Sequence, residues 1–424
     1  MKNLLKVSLI LLLTLFIAVN LTATVTIEFW HAMGGGHGKA LNEIITKFNQ
    51  EHPDIQVKGV YVGNYSALNQ KLLSAVQAGK PPAISQVYED WTTKLIHADA
   101  IVPVEKFVND PKIGLSKAEL GDIIKVFYED NVWNGKLYTL PFNKSTSLLF
   151  VNTDAFMIEG LDYPKTMDEF LKDAKILTQD WNGDGKIDQY GFGIRPTVDT
   201  FNIFLRSNGG KIITEKESKS IVTVNDEKGV EALQFMCDLV NKYKVAYMQG
   251  GYFSGPFGTG KVAMYIGSSA GKPYVDRACS GNHGWTWIYV PSWKMRAVPF
   301  MGTNLAIYKG VSEEQQIAAW KFLKYLISPD ITTFWAIKTG YMPVRYSALK
   351  STEWQEFVKS DPKNSVPVGQ ADKYGVLDPR PLMWNEIRTE VSNAVRDAMY
   401  GKKAPKQALD DAAKEIEKLL QEGR

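Results

Sequence analysis

Few residues in this 424-residue chain sit at spacings that could do chemistry. The sharpest pattern is Asp180-Trp181-Asn182-Gly183-Asp184-Gly185-Lys186-Ile187-Asp188. Oxygen side chains at its first, third, fifth and ninth places, with glycine at the sixth, are those of a calcium loop, in which Lys186 would offer its carbonyl. Gly191 stands where such a loop has a bidentate glutamate, so a structural Ca²⁺ held by Asp180, Asn182, Asp184, Lys186 and Asp188 needs an acid from elsewhere. The competing reading is a solvated turn rich in Asx residues. A second pattern, Gly34-Gly35-Gly36-His37-Gly38-Lys39, invites a phosphate loop, but Met33 and Ala40 occupy the outer places that a nucleotide loop reserves for glycine and serine or threonine. A helix N-terminus facing a ligand is what survives. The histidines at 31, 37, 52, 97 and 283 have no metal-ligand spacing. Glu89-Asp90 is a carboxylate pair, yet neighbours in a strand point apart, whereas glycoside hydrolysis needs two acids facing one bond. An enzyme is not expected, and no cofactor beyond the calcium candidate is indicated.

The elements that must position these residues read as α/β. Val25 to Phe29 alternates as a strand, and Leu41, Ile44, Ile45 and Phe48 give a helix one apolar face before Pro53. Ile55 and Val57 then resume the alternation, which makes a βαβ unit and implies a parallel sheet. A helix from Leu68 to Val76 leads through Pro81-Pro82 to an apolar strand, Ala83 to Val87. Two extended stretches with small polar centres, Tyr138 to Asn152 and Val298 to Ile307, read as strands crossing between lobes to form a hinge. The alternative is that both are ordinary strands of one large sheet. Amphipathic helices follow at Ile317, Trp320, Leu323 and Ile327, and at Leu409, Ala412, Ile416 and Leu419.

Composition bounds the partners. Lys2 and Lys6 precede an apolar run from Val7 to Val19 and then small and polar residues, the form of a secretory signal cleaved near Ala23. The remainder is too long for one ordinary core, so two domains are expected. A formal charge of +3, or +1 without Lys2 and Lys6, argues against nucleic acid as a partner. Cys237 lies in a helical run, Val230 to Met236 and onward, and reads as a buried thiol, with a pairing to Cys279 as the alternative. Eleven tryptophans and nineteen tyrosines are a plentiful supply of side chains that stack on polar ligands.

Short stretches carry a family resemblance: Phe29 to Met33, Tyr61 to Tyr65, Ser85 to Glu89, Pro141 to Thr146, Ala263-Met264 with Ser268-Ser269, Lys338 to Pro343, Ile387-Arg388 and Gly401 to Lys403. In this order they resemble the family 1 extracellular solute-binding proteins of ABC importers, most closely the glycerol-3-phosphate-binding branch. The resemblance implies a two-lobed, type II periplasmic-binding fold and a monomer that delivers a small polar solute to membrane permease subunits. Lobe 1 would take residues 24–143 and 303–345, and lobe 2 residues 144–302 and 346–424. It further implies ligand contacts at Tyr65, Glu89, Ser145, Ser268 or Ser269, Gly302, Tyr341 and Arg388. Arg388 would grip two phosphate oxygens and Glu89 would accept from glycerol hydroxyls. Trp384, one helical turn before Arg388, matches an aromatic that stacks on sugar in the maltose-type relatives, and Arg195 to Phe201 departs from the phosphate branch. A sugar or a glycerophosphodiester is therefore the second expected ligand.

Overall fold

The computed structural model describes residues 24–216 and 219–423; the expected signal segment, residues 1–23, lies outside the described residues. β1 (Val25–His31), α1 (Gly35–Glu51) and β2 (Ile55–Tyr61) form the expected parallel unit, with Val25 opposite Ile55. α1 forms because its apolar residues recur every three or four positions, and it buries Ala40, Leu41, Ile44, Ile45 and Phe48. α2 (Tyr65–Gln77), β3 (Ile84–Val87), α3 (Glu89–His97) and the short β4 (Ile101–Val102) continue the α/β pattern.

The two polar-centred stretches each form one continuous strand. β5 (Leu140–Asn152) is buried along its whole length, and β10 (Val298–Tyr308) runs antiparallel to it, Phe300 opposite Thr146 and Leu305 opposite Leu140. Between them in the chain lie β6 (Phe192–Ile194), β7 (Ala246–Met248), β8 (Met264–Ser268) and β9 (Trp285–Ile288); β11 (Gly375–Val376) comes later. These strands belong to one eleven-stranded sheet with the main path β7-β6-β8-β5-β10-β3-β1-β2. The two sequence readings of these stretches are thus compatible, because the crossing strands are also central strands of one sheet. The first part of β5 pairs with β10, whereas its second part pairs with β8 and β9.

Two large apolar cores lie on either side of this crossing. The first joins Phe29, Phe48, Phe142, Trp320 of α5 (Glu313–Leu326) and Trp335, and it also takes Trp354, Val368 and Ala371. The second joins Phe170, Phe204, Met236 and Leu409. Each such side chain contributes about 1.5–3 kcal/mol by leaving water. Cys237 is in the second core and Cys279 in a separate cluster with Phe150 and Trp287; both thiols are free. Burial pushes each of them up to about 12, as suits inert core thiols. No helix among the described residues is long and apolar enough to cross a membrane.

Candidate functional site

The waist is polar, although it is buried. On β5, Lys144 donates through Nζ to Asp130 Oδ2 at 2.7 Å, and Asn304 of β10 donates to the same oxygen at 2.9 Å. Gln86 of β3 donates to Asn143 Oδ1 at 2.8 Å and to Thr303 Oγ1 at 3.0 Å. β10 approaches β5 so closely that a Cβ on Gly302 would lie 1.9 Å from the Asn143 carbonyl oxygen. Gly302 also holds φ at +106°, a conformation that side chains rarely adopt. The need for glycine is therefore met by strand approach, independently of the expected ligand contact.

A wall of aromatic hydroxyls stands beside this crossing. The Asn64 side chain caps α2 by accepting from Ala67 N at 2.9 Å, and so starts the helix at Tyr65. Asn143 Nδ2 donates to Tyr65 Oη at 3.0 Å, and Tyr65 Oη lies 3.4 Å from Tyr341 Oη. Tyr341 follows α6 (Pro329–Thr339), stacks on Trp335 with ring centroids 5.7 Å apart, and has His37 at 5.3 Å. Tyr88 meets Tyr65 edge to face at 5.0 Å. Burial raises the phenols of Tyr65, Tyr88 and Tyr341 above their ordinary range. They are neutral hydrogen-bonding groups at any physiological pH.

Charge gathers where α3 meets the C-terminal helices. Glu89 and Asp90 open α3, so they stand in the first turn of a helix and not in a strand. Burial, reinforced by Asp130 and Asp90 and opposed by Lys144, pushes Glu89 up to about 8. Burial likewise lifts Asp90 to about 6, against the pull of Arg388. Arg388, on α7 (Trp384–Met399), ion-pairs with Asp199 at the start of α4 (Val198–Ser207). Burial works to lower the Arg388 guanidinium, but Asp199, Asp378 and Glu89 more than offset it and hold it above its ordinary value. Asp378 accepts from Asn202 Nδ2 at 2.5 Å.

Further contacts join α3 and the Asp130 to Trp133 segment to α7 and the chain just before it. Lys94 of α3 pairs with Glu386 of α7 at 2.5 Å. Arg380 donates to the carbonyls of Asp130 at 2.6 Å and Val132 at 2.9 Å, and lies over the Trp133 ring at 4.1 Å.

Of the expected ligand residues, Tyr65 and Tyr341 touch, and Glu89 and Arg388 belong to one cluster of interacting charges. Ser145 is buried on β5 opposite Met301. Ser268 spends its hydroxyl on the Ala270 N–H at 3.2 Å, while buried Ser269 Oγ has no hydrogen-bond partner among the described residues. Trp384 corrects the expectation of a stacking aromatic: it is 1% exposed in the second core, because Trp384, Ile387 and Val391 form the apolar stripe of α7. The Asp180 to Asp188 loop, the expected calcium site, folds as linked Asx turns. Asp180 accepts from Gly183 N and Gly185 N, Asn182 from Asp184 N, Asp184 from Lys186 N, and Asp188 from Trp181 N, all at 2.8–2.9 Å. Among the described residues no three His, Cys, Asp or Glu side chains gather as a metal set.

Sequence reasoning missed Asn143, Tyr88, Asp199 and Asp378. Asn143 gave a signal, because it opens the polar run Asn143 to Ser147 inside a strand with apolar ends; the others acquire meaning only from their neighbours in space. One pattern also escapes the sequence reading. Gly267-Ser268-Ser269-Ala270-Gly271 has the Gly-x-Ser-x-Gly spacing of a hydrolase elbow. Ser269, however, lies in a 3₁₀ turn and has no hydrogen-bonded base, and His37 Nε2 is 3.2 Å from the Thr339 carbonyl oxygen instead.

Comparison with known proteins places this architecture. The family model "Bacterial extracellular solute-binding protein" matches residues 43–365. The sn-glycerol-3-phosphate-binding periplasmic protein UgpB of Yersinia pseudotuberculosis is 29% identical over 98% of this chain and 97% of its own length. UgpB of Salmonella typhimurium is 28% identical over 94% of this chain and 93% of its own. Among solved structures, the GacH receptor of Streptomyces glaucescens superposes with a TM-score of 0.81 at 22% identity, over 95% of this chain and all of that one. UgpB from Mycobacterium tuberculosis, solved in complex with glycerophosphocholine, gives 0.81 at 19% identity over 94% of this chain and 99% of that one. With a crossing-strand waist and a matched model over most of its length, this chain belongs to the bacterial extracellular solute-binding protein family.

Proposed function

We propose that this chain is the exported, non-catalytic solute-binding component of an ABC importer, and that it closes on glycerol-3-phosphate or a related phosphorylated polyol. The observation that carries the reading is a wall of hydroxyls on the first side of the waist beside charged elements that meet across it. Tyr65 and Tyr341, both packed on the first core, are hydrogen-bonded beside β5, and α3, which opens with Glu89, meets α7, which carries Arg388, through Lys94 and Glu386 at 2.5 Å. A solute that touches both sides favours the closed arrangement by its differential affinity, and the membrane subunits of the importer then recognise that arrangement. The moving bodies divide where β5 and β10 cross, near residues 143–144 and 302–303. The protein works outside the cytoplasm as a monomer.

A second reading, a neutral sugar or a glycerophosphodiester, rests on a specific contact. Arg388 already carries Asp199, so a phosphate dianion arriving there meets a carboxylate in place. The test is thermal unfolding of the mature chain with saturating glycerol-3-phosphate, glycerophosphodiesters and sugars. A bound solute at 100 times its Kd adds about 2.7 kcal/mol of stability. A panel that moves no transition, or a substrate converted to product, refutes the reading.

A further inference from the structure

Asp199, Asn202 and Arg206 lie at i, i+3 and i+7 on α4 and share one face, while Phe201, Phe204 and Leu205 fill the second core. Two members of this polar stripe are engaged: Asp199 with Arg388, and Asn202 Nδ2 with Asp378. Arg206 is not. It is 8% exposed, yet its guanidinium makes no hydrogen bond or ion pair among the described residues, and Nη1 is fully enclosed without a partner. Asn202 Oδ1 beside it is also enclosed and unpartnered. Asn202 ties Asp378 to this stripe, and the Asp378 carboxyl, raised by burial, is drawn back by Arg206 and Arg388, although no ion pair joins Arg206 to Asp378 among the described residues. Helix α4 also packs on strand β10 of the waist.

A buried guanidinium whose N–H groups have no acceptor is costly even with a carboxyl nearby, and is expected only where something else supplies the acceptor. We propose that Arg206 is a solute-contacting residue: its guanidinium receives the anionic group of the solute, Asn202 Oδ1 accepts from a solute hydroxyl, and Asp199 keeps Arg388 occupied. A guanidinium suits a phosphate or carboxylate because two of its N–H groups match two oxygens. The proposal rests on the reading of this cleft as the solute site and adds which of its cations meets the anion.

The test is Arg206→Met, which keeps the length of the side chain and removes the charge, with Arg206→Lys beside it. Thermal unfolding is followed with and without glycerol-3-phosphate and with a neutral sugar. Arg206→Met is expected to melt no lower than the wild type in the absence of solute, because a buried guanidinium without hydrogen-bond acceptors is gone and Asp378 keeps Asn202 and Arg388. It is also expected to bind glycerol-3-phosphate about 100-fold more weakly and to weaken any response to the neutral sugar by a much smaller factor. Arg206→Lys should recover part of the phosphate response. A solute-free Arg206→Met protein that melts lower, or fails to fold, makes Arg206 structural and overturns the inference. So does a phosphate response equal to that of the wild type, which leaves the functional reading intact. A wild type silent to every phosphorylated solute overturns both.

Discussion

Replacing Asp130 by asparagine probes the waist with the smallest change of shape. The Lys144 side chain is 1% exposed and Asp130 4%, with 2.7 Å between Nζ and Oδ2. At an effective dielectric constant of about 20, two unit charges at that distance attract by roughly 6 kcal/mol. Asp130→Asn removes this attraction while the amide oxygen still accepts from Lys144 and Asn304, so part of the hydrogen bonding survives. Removal of one partner from a buried pair typically costs about 3–5 kcal/mol, and we expect a loss in that range, against a total stability of about 5–15 kcal/mol. The double change Asp130→Leu with Lys144→Met should cost less than the single one, because neither charge is then left alone. Urea unfolding read by tryptophan fluorescence measures both as a fall in midpoint at constant slope. An Asp130→Asn protein that loses under about 1 kcal/mol, or a double variant worse than the single, would refute a charge pair that holds the waist.

Other consequences can be measured directly. Gly302→Ala should destabilise by about 3 kcal/mol or more, since strain at positive φ adds to a Cβ pressed on the Asn143 carbonyl; wild-type stability in that variant would show that the strands part easily. Glu89 is raised in the folded chain, so the stability it contributes is present below the unfolded value, near 4.5, and is lost as pH rises through about 8. Glu89→Gln should therefore flatten the fall in stability between these pH values, and an unaltered pH profile would count against the burial of Glu89. The Asp180 to Asp188 loop lacks a bidentate acid at Gly191, so any calcium affinity is expected at the weak, roughly millimolar end; a rise in melting temperature at micromolar calcium, reversed by a chelator, would contradict this.

The fold was largely legible because its signals are local. The βαβ opening follows from alternation at Val25 to Phe29, the apolar face of α1, and renewed alternation at Ile55 and Val57. The short motifs carried the family, and Tyr65 and Tyr341, 276 positions apart, indeed meet. Trp384 shows where spacing misleads. A residue one turn from Arg388 shares its side of α7, but only the packing of α4, α7 and the second core decides that the indole turns inward while the guanidinium reaches Asp199.

What the sequence determined by itself is the α/β class, the two cores it can support, the strands that cross, and the residue types available for a polar solute. What only the tertiary structure decided is who is partnered. Whether Arg388 is free or occupied, whether Arg206 is solvated or enclosed, and whether Glu89 holds its proton all depend on charges brought together from distant parts of the chain. Local preference sets an element from its own residues, whereas burial and Coulomb interaction act through space and have no counterpart in spacing along the chain.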